Sequence, residues 1–340
     1  MKKGMIVAAI LIAAGCLLFG GALMAWMIHG KWDFTGFSTV SYETNRHEIQ
    51  ADFQNISIAT DTADIEFIPS EGDAAVVECR DQENLYHRVS VVDGTLTIKL
   101  VDERKWYEHI GISFENTKVT VYMPRGEYGA LIVDSDTGDV EIPADFGFES
   151  MNISQSTGDV QNRASTSGDM KIRTTTGRIR LEGVSAAALE LTVSTGHVTV
   201  TDVVCGSMTT SGSTGKLTAT NVTCAGDMSI RVTTGDAELT NITCGNLVTR
   251  GSTGDLIMMN LIASGSMSIE RDTGDVKFEA CDAAELTITT DTGRVAGSLL
   301  SDKVFLVRSD TGRIEVPESI TGGKCSVTTD TGDIRLRVIE

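Results

Sequence analysis

Proline, aromatic rings and positive charge are all scarce in this chain. Only 4 of its 340 residues are proline, and Phe, Trp and Tyr together make up 5%. That scarcity excludes a globular core built on large rings and leaves room for a stack of small and β-branched side chains. Acidic residues outnumber basic ones by 47 to 28, for a net charge of −19. Such a balance excludes nucleic acid, anionic lipid surfaces and polyanionic wall polymers as broad electrostatic partners, and attracts cationic ligands or basic protein surfaces instead. No P-loop and no dinucleotide fingerprint is present. The five histidines (His29, His47, His87, His109, His197) share no metal-ligand spacing and neighbour no nucleophile motif. No cofactor and no catalytic residue is therefore expected.

Helical spacing is missing as well, and a different period takes its place. Thr-Gly pairs recur at glycines 138, 158, 177, 196, 215, 235, 254, 274, 293, 312 and 332, with gaps of 19 or 20 residues. Seven residues before each glycine the side chain is always apolar, from Leu131 and Met151 through Met208, Met228 and Leu247 to Cys325. Five before and two after are apolar almost throughout, as in Ile153, Ile172 and Ile230, and in Val160, Ile179 and Leu217. Apolar residues two apart, twice per repeat, specify two short strands with one buried face, separated by a turn. Columns that repeat by translation specify a single-stranded parallel β-solenoid of 19–20 residues per coil rather than a meander. A right-handed β-helix is the expected sense, from strand twist and crossover preference.

Two columns carry turn chemistry. The residue two before each glycine is Ser, Thr or Asp, whose short side-chain oxygen accepts a nearby backbone N–H; Asp202, Asn221, Asn241 and Asn260, six after their glycines, mark a second corner. A first coil precedes the repeats if Ala63 stands for the glycine, with Ile56, Ile58, Ile65 and Phe67 in the apolar columns. The period then lapses, and Ala75–Cys79, Arg88–Val92, Leu96–Val101 and Lys118–Met123 read as antiparallel strands of a cap, with a hairpin turn at Asp93-Gly94. At the other end Ile334, Leu336 and Val338 alternate with outward Arg335 and Arg337. These residues are expected to form the last, uncapped edge of the stack.

Lys2-Lys3 precede an uninterrupted apolar run from Gly4 to Ile28, long enough as a helix to cross a bilayer. The lysines place the N-terminus in the cytoplasm and the C-terminal domain outside it. A cleaved signal peptide and a lipoprotein site at Cys16 fit the run less well. The expected organisation is a transmembrane signal anchor over 1–30, a juxtamembrane linker over 31–50, the first coil plus capping insertion over 51–130, and solenoid repeats over 131–340. Cys205, Cys224 and Cys244 share one column with Ala186 and Ala263, so they read as buried small hydrophobes rather than disulfide partners.

Two features carry functional hypotheses. Asp272, Asp291, Asp310 and Asp330 form an acidic line at one turn position, which calcium could bridge through oxygen ligands; repeated turn chemistry accounts for the same residues. Trp106, Tyr107 and His109 sit in a loop that breaks the strand pattern, either as a partner contact or as a plug for the solenoid end.

The segment Trp32–Thr39, then Tyr42-Glu43-Thr44, Asp61–Phe67 and the serial Ser/Asp-Thr-Gly-Asp/Arg turns, resembles the bacterial β-strand-repeat adhesin-like family of unknown function. The resemblance covers essentially the whole chain. It implies a membrane-anchored β-solenoid related to adhesin head domains, some members of which belong to cell-envelope-stress operons, and it brings no catalytic residues. The function expected is a tethered, extracytoplasmic, non-catalytic binding scaffold, whose partners are the membrane and an envelope or surface protein or cationic ligand. A polysaccharide lyase or hydrolase and a self-assembling surface protein are the alternatives.

Overall fold

A computed structural model describes residues 42–105 and 117–339. The anchor expected over 1–30, the linker up to residue 41, and Trp106, Tyr107 and His109 lie outside the described residues. Among the described residues there is no helix, and none is long and apolar enough to cross a membrane.

The Thr-Gly columns stack in register as parallel ladders. Met208 lies beside Met228, and Met228 beside Leu247; Val198 lies beside Leu217, and Leu217 beside Ala237. These side chains are fully buried and belong to one continuous core. Burial of the alternating columns on every coil is the main driving force, at roughly 25 cal/mol per Å² of apolar surface.

The glycine is obligatory for a steric reason. In nine coils its φ lies between 124° and 154°, a range that other residues rarely adopt. A Cβ there would overlap the carbonyl oxygen of the preceding coil's glycine, or of Ala63 in the case of Gly138. Each glycine N–H in turn donates to the threonine carbonyl of the next coil, as from Gly158 to Thr176 and from Gly196 to Thr214, both at 2.9 Å.

The side chain that fastens this corner is not the one the sequence suggests. Residues two before the glycine point outward, whereas the aspartate one after it accepts the next coil's backbone N–H. Asp139 Oδ1 takes the N–H of Asp159 at 2.8 Å, and Asp236, Asp255 and Asp275 repeat the bond at 2.9 Å. The second corner falls where expected. Asp202, Asn221, Asn241 and Asn260 have φ of 53–55°, and each asparagine Nδ2 donates to the side-chain oxygen of the coil before, at 2.8–3.0 Å.

Beyond that corner lies a third face that two-strand reasoning omits. Val203 and Cys205 pair with Val222 and Cys224, and Ile242 and Cys244 with Leu261 and Ala263, all inward and buried. The cysteine column therefore lines the core, and its members are free thiols.

At the N-terminal end, β2 (Asn55–Thr62) and β3 (Asp64–Ser70) make the first coil, with Ala63 at the glycine position. Beneath it β4 (Ala75–Gln82), β5 (Leu85–Val92), β6 (Thr95–Asp102) and β7 (Lys118–Pro124) follow the expected strand runs. Two of them are not antiparallel to the stack. β6 and β7 pair in parallel with β2 and β3, so they form one more coil, whose Thr-Gly turn is replaced by the connection from residue 103 to 117. β4 and β5 run against β7 and β6 as a reversed layer. Tyr42–Ile49, inside the stretch expected to be linker, is strand β1, antiparallel to β4 over eight residue pairs.

At the C-terminal end the coils do not stack in chain order. The strand ending at Thr292 pairs not with Lys303–Thr311 but with Gly323–Thr331, and Val295–Leu299 pairs with Ile334–Val338. Lys303–Thr311 then lies on the far side of Gly323–Thr331. The last coil in sequence is thus inserted beneath the penultimate one. Ile334 is a core residue rather than an edge, and Arg335 does not guard an open end.

Candidate functional site

Stacking brings together one polar constellation that its sequence spacing hides. Cys79 and Asp81 alternate along β4, His87 follows on β5, and Thr60 comes from β2 of the first coil; all four face inward. Asp81 Oδ1 lies 2.6 Å from His87 Nδ1, and Asp81 Oδ2 accepts the His87 backbone N–H at 2.8 Å. His87 Nε2 lies 2.9 Å from Thr60 Oγ1. With Nδ1 donating to the carboxylate, a neutral ring accepts the threonine hydroxyl proton at Nε2. Burial pushes the Cys79 thiol up to about 12, with the neighbouring Asp81 charge adding to it.

Hydroxyl, imidazole and carboxylate in this order resemble a hydrolase relay. The surroundings argue otherwise. Asp81 and His87 are sealed and Thr60 is 6% exposed, so the hydroxyl faces packed side chains rather than a cleft. The sulfur of Cys79, a carboxylate oxygen of Asp81 and a ring nitrogen of His87 lie within 4.8 Å of one another, a donor set suited to a transition metal. Both Asp81 oxygens and both ring nitrogens are already satisfied, however, and a metal would have to break those bonds. The constellation fits a polar pin that holds the reversed layer to the first coil.

The acidic line occupies four successive layers in the order Asp272, Asp291, Asp330, Asp310, because of the coil inversion. All four are exposed, and Asp310 accepts from Arg308 Nε at 3.0 Å. No three of them gather into a ligand group among the described residues; the only such group there is Cys79, Asp81 and His87.

Among the described residues, a broad groove of about 550 Å³ lies on the outer surface near the C-terminal end. Ile257, Met259 and Ala296 form its apolar side, and Lys277, Arg335 and Arg337 are among its charged side chains. It exists because Ile314–Glu315 covers only the first two residues of Ile334–Val338, leaving Leu336 and Arg337 at its wall. The sequence carries a faint signal of this. After Gly312 the corner position holds Glu318 and the third-face pair is replaced by Ser319 and Thr321, with Pro317 just before them, so the coil departs early.

A parallel β-solenoid of short Thr-Gly coils, closed at one end by reversed strands, is the class this architecture defines. The chain belongs to the Toastrack DUF4097 family, which matches residues 53–242 and 227–340. No curated protein matches in sequence. Among solved structures, a putative lipid binding protein from Parabacteroides distasonis aligns at 14% identity over 87% of this chain and 97% of its own, with a TM-score of 0.40. A putative adhesin from Bacteroides fragilis aligns at 12% identity over 87% and 97%, with a TM-score of 0.36. Another putative adhesin, from Parabacteroides distasonis, aligns at 12% over 86% and 98%, with a TM-score of 0.37.

Proposed function

We propose that this protein is a membrane-tethered β-solenoid outside the cytoplasm that works by binding, as an adhesin-like or envelope-stress scaffold, without catalysis. One observation carries the reading. The hydrolase-like constellation is sealed inside the cap, while the outward columns stand in regular rows along a rigid stack. A surface of that kind recognises extended partners and offers no enclosed place for a reaction. The tether rests on Lys2-Lys3 and the apolar run from Gly4 to Ile28, and the net charge of −19 favours a cationic partner.

Three measurements test it. Protease added to intact cells is expected to remove the repeats while leaving cytoplasmic markers whole; protection of the repeats would contradict the address. Full-length chain in nanodiscs is expected to bind basic peptides with an affinity that falls as salt rises. Turnover of any member of a glycan panel by the same sample would replace the binding reading with an enzymatic one.

A further inference from the structure

The two ends of the stack are built differently. The N-terminal end is covered by the reversed β4–β5 layer and by β1. At the C-terminal end the outermost layer is Lys303–Thr311 with Ile314–Glu315. Each is paired on one side only among the described residues. The other side presents a nine-residue row of backbone donors and acceptors, the kind of edge that proteins usually blunt.

Side chains of this layer are also short of a neighbour. Ile314 is 41% exposed, whereas Val295 and Ile334 in the same column are fully buried. Phe305, Val307 and Val316 are half-buried against the end of the core. Leu306 at 53% and Ile320 at 94% exposure extend the apolar area to the rim. This end is also electrically unlike the rest. Residues 302–339 hold six acids (Asp302, Asp310, Glu315, Glu318, Asp330, Asp333) and six bases (Lys303, Arg308, Arg313, Lys324, Arg335, Arg337), in a chain of net charge −19.

We propose that this end docks on the same end of a second copy, edge strand against edge strand, so that two stacks join coaxially. The cross-section selects the partner. Phe305, Val307, Ile314 and Val316 regain a coil interior only from another layer with inward apolar residues on two adjacent faces, and a lone strand covers just one. A two-fold axis perpendicular to the stack makes both edges antiparallel, keeps inward side chains inside, and brings each patch against itself. The balanced charge lets two strongly acidic molecules approach there without repulsion. The opposite end is a poor fit, since β1 brings Glu43, Arg46 and Glu48 to its outer edge.

The described chain enters at β1, so this dimer sends the two entry points to opposite poles. If the chain is tethered as proposed, and only then, the two copies stand in facing membranes. The interface itself does not depend on the tether.

The test uses full-length chain in detergent micelles and in vesicles. Sedimentation of the wild type should show a concentration-dependent dimer. Leu306→Arg with Ile320→Arg should raise its dissociation constant by ~10-fold or more, since an isologous interface doubles every added charge. Both residues are outward and exposed, and an unchanged melting curve will show that the variant folds. Val92→Asp, exposed at the opposite end, should change nothing. In a Cys16→Ser background, where the native thiols of the described region are buried, Leu306→Cys should cross-link copies under mild oxidant and Val92→Cys should not. A monomer at ~100 µM, far above the micromolar range of a modest interface, would overturn the proposal. So would a dimer lost through Val92→Asp or indifferent to the two arginines. Vesicles of two colours should co-cluster with wild-type protein. Dimers in micelles without clustering would keep the interface and remove the facing-membrane geometry.

Discussion

Single residues expose where the repeat is under strain. Ala280 takes the corner position held elsewhere by Asp202 and three asparagines, with φ at 51°, a region costly for a residue that cannot bond locally. Ala280→Asn should stabilise the fold by about 1 kcal/mol, seen as a higher midpoint in urea. Arg271 is a sharper case. It is 1% exposed, points inward beneath Gly251, and none of its guanidinium nitrogens has a hydrogen-bond partner among the described residues. Burial lowers its pKa, and the nearby Asp236 and Asp255 charges partly offset this. A buried charge without bonds is poorer than an apolar chain of equal length, so Arg271→Met should raise the melting temperature, by roughly 1 kcal/mol or more of stability. A fall in melting temperature would mean that the two aspartates fully support the charge. Gly251→Ala should destabilise strongly in either case, because its Cβ would collide with Arg271 and with the Val232 carbonyl.

Elements were legible to the extent that their contacts repeat. The inward columns, the Thr-Gly corner and the asparagine corner all follow from period and residue type, because each coil meets a copy of itself. Contacts made once escaped. β6 and β7 form a coil without a Thr-Gly turn, so nothing in their sequence marks them as part of the stack. Thr60, Cys79, Asp81 and His87 meet through layer stacking, which spacing along the chain cannot encode. The anchorage of the outermost layer is another single contact, and it is acid-sensitive. Lys303 Nζ lies 2.6 Å from Asp282 Oδ1, and Ser301 donates to the same oxygen at 3.0 Å. Partial burial pushes the Asp282 carboxyl up, but these bonds outweigh it and hold its pKa below the usual 3.8. A lowered folded-state pKa gives stability that is present above 3.8 and lost as pH falls through the lower folded value. Hydrogen exchange over residues 303–311 should therefore accelerate below about pH 4. Asp282→Asn should flatten that response and speed exchange at neutral pH, where Lys303 is left buried without its counter-charge.

At the scale of the molecule, the order of coils in space differs from their order in the chain, and translation symmetry is why sequence could not reveal it. The coil ending at Thr331 carries the same inward columns as the one ending at Thr311, so either satisfies the layer at Thr292. What separates them is the exit. After Glu315 the chain lacks a third face and must leave the stack through Pro317 to Gly322, whereas Ile334–Val338 pairs along the whole of Val295–Leu299. The fuller ladder takes the inner place and the shorter one becomes the lid. Repeat stacks gain stability mainly from nearest-neighbour interfaces, which makes the two coils unequal in a testable way. Asp302 and Gly322 adjoin, since a Cβ on Gly322 would overlap the Asp302 carbonyl. Deleting residues 303–322 can therefore join Asp302 to Gly323 and leave every pairing of the final coil with the layer before it intact. That variant should keep its strand signal in circular dichroism and lose only the interface of one outer layer, a drop of a few degrees in melting temperature. Ending the chain at residue 322 should be far worse. It strips the partner from both Thr292 and Lys303–Thr311, and calorimetry should show a smaller, earlier transition. Equal melting of the two variants would mean that the penultimate coil can slide into the vacant layer, and that the inversion has no energetic preference.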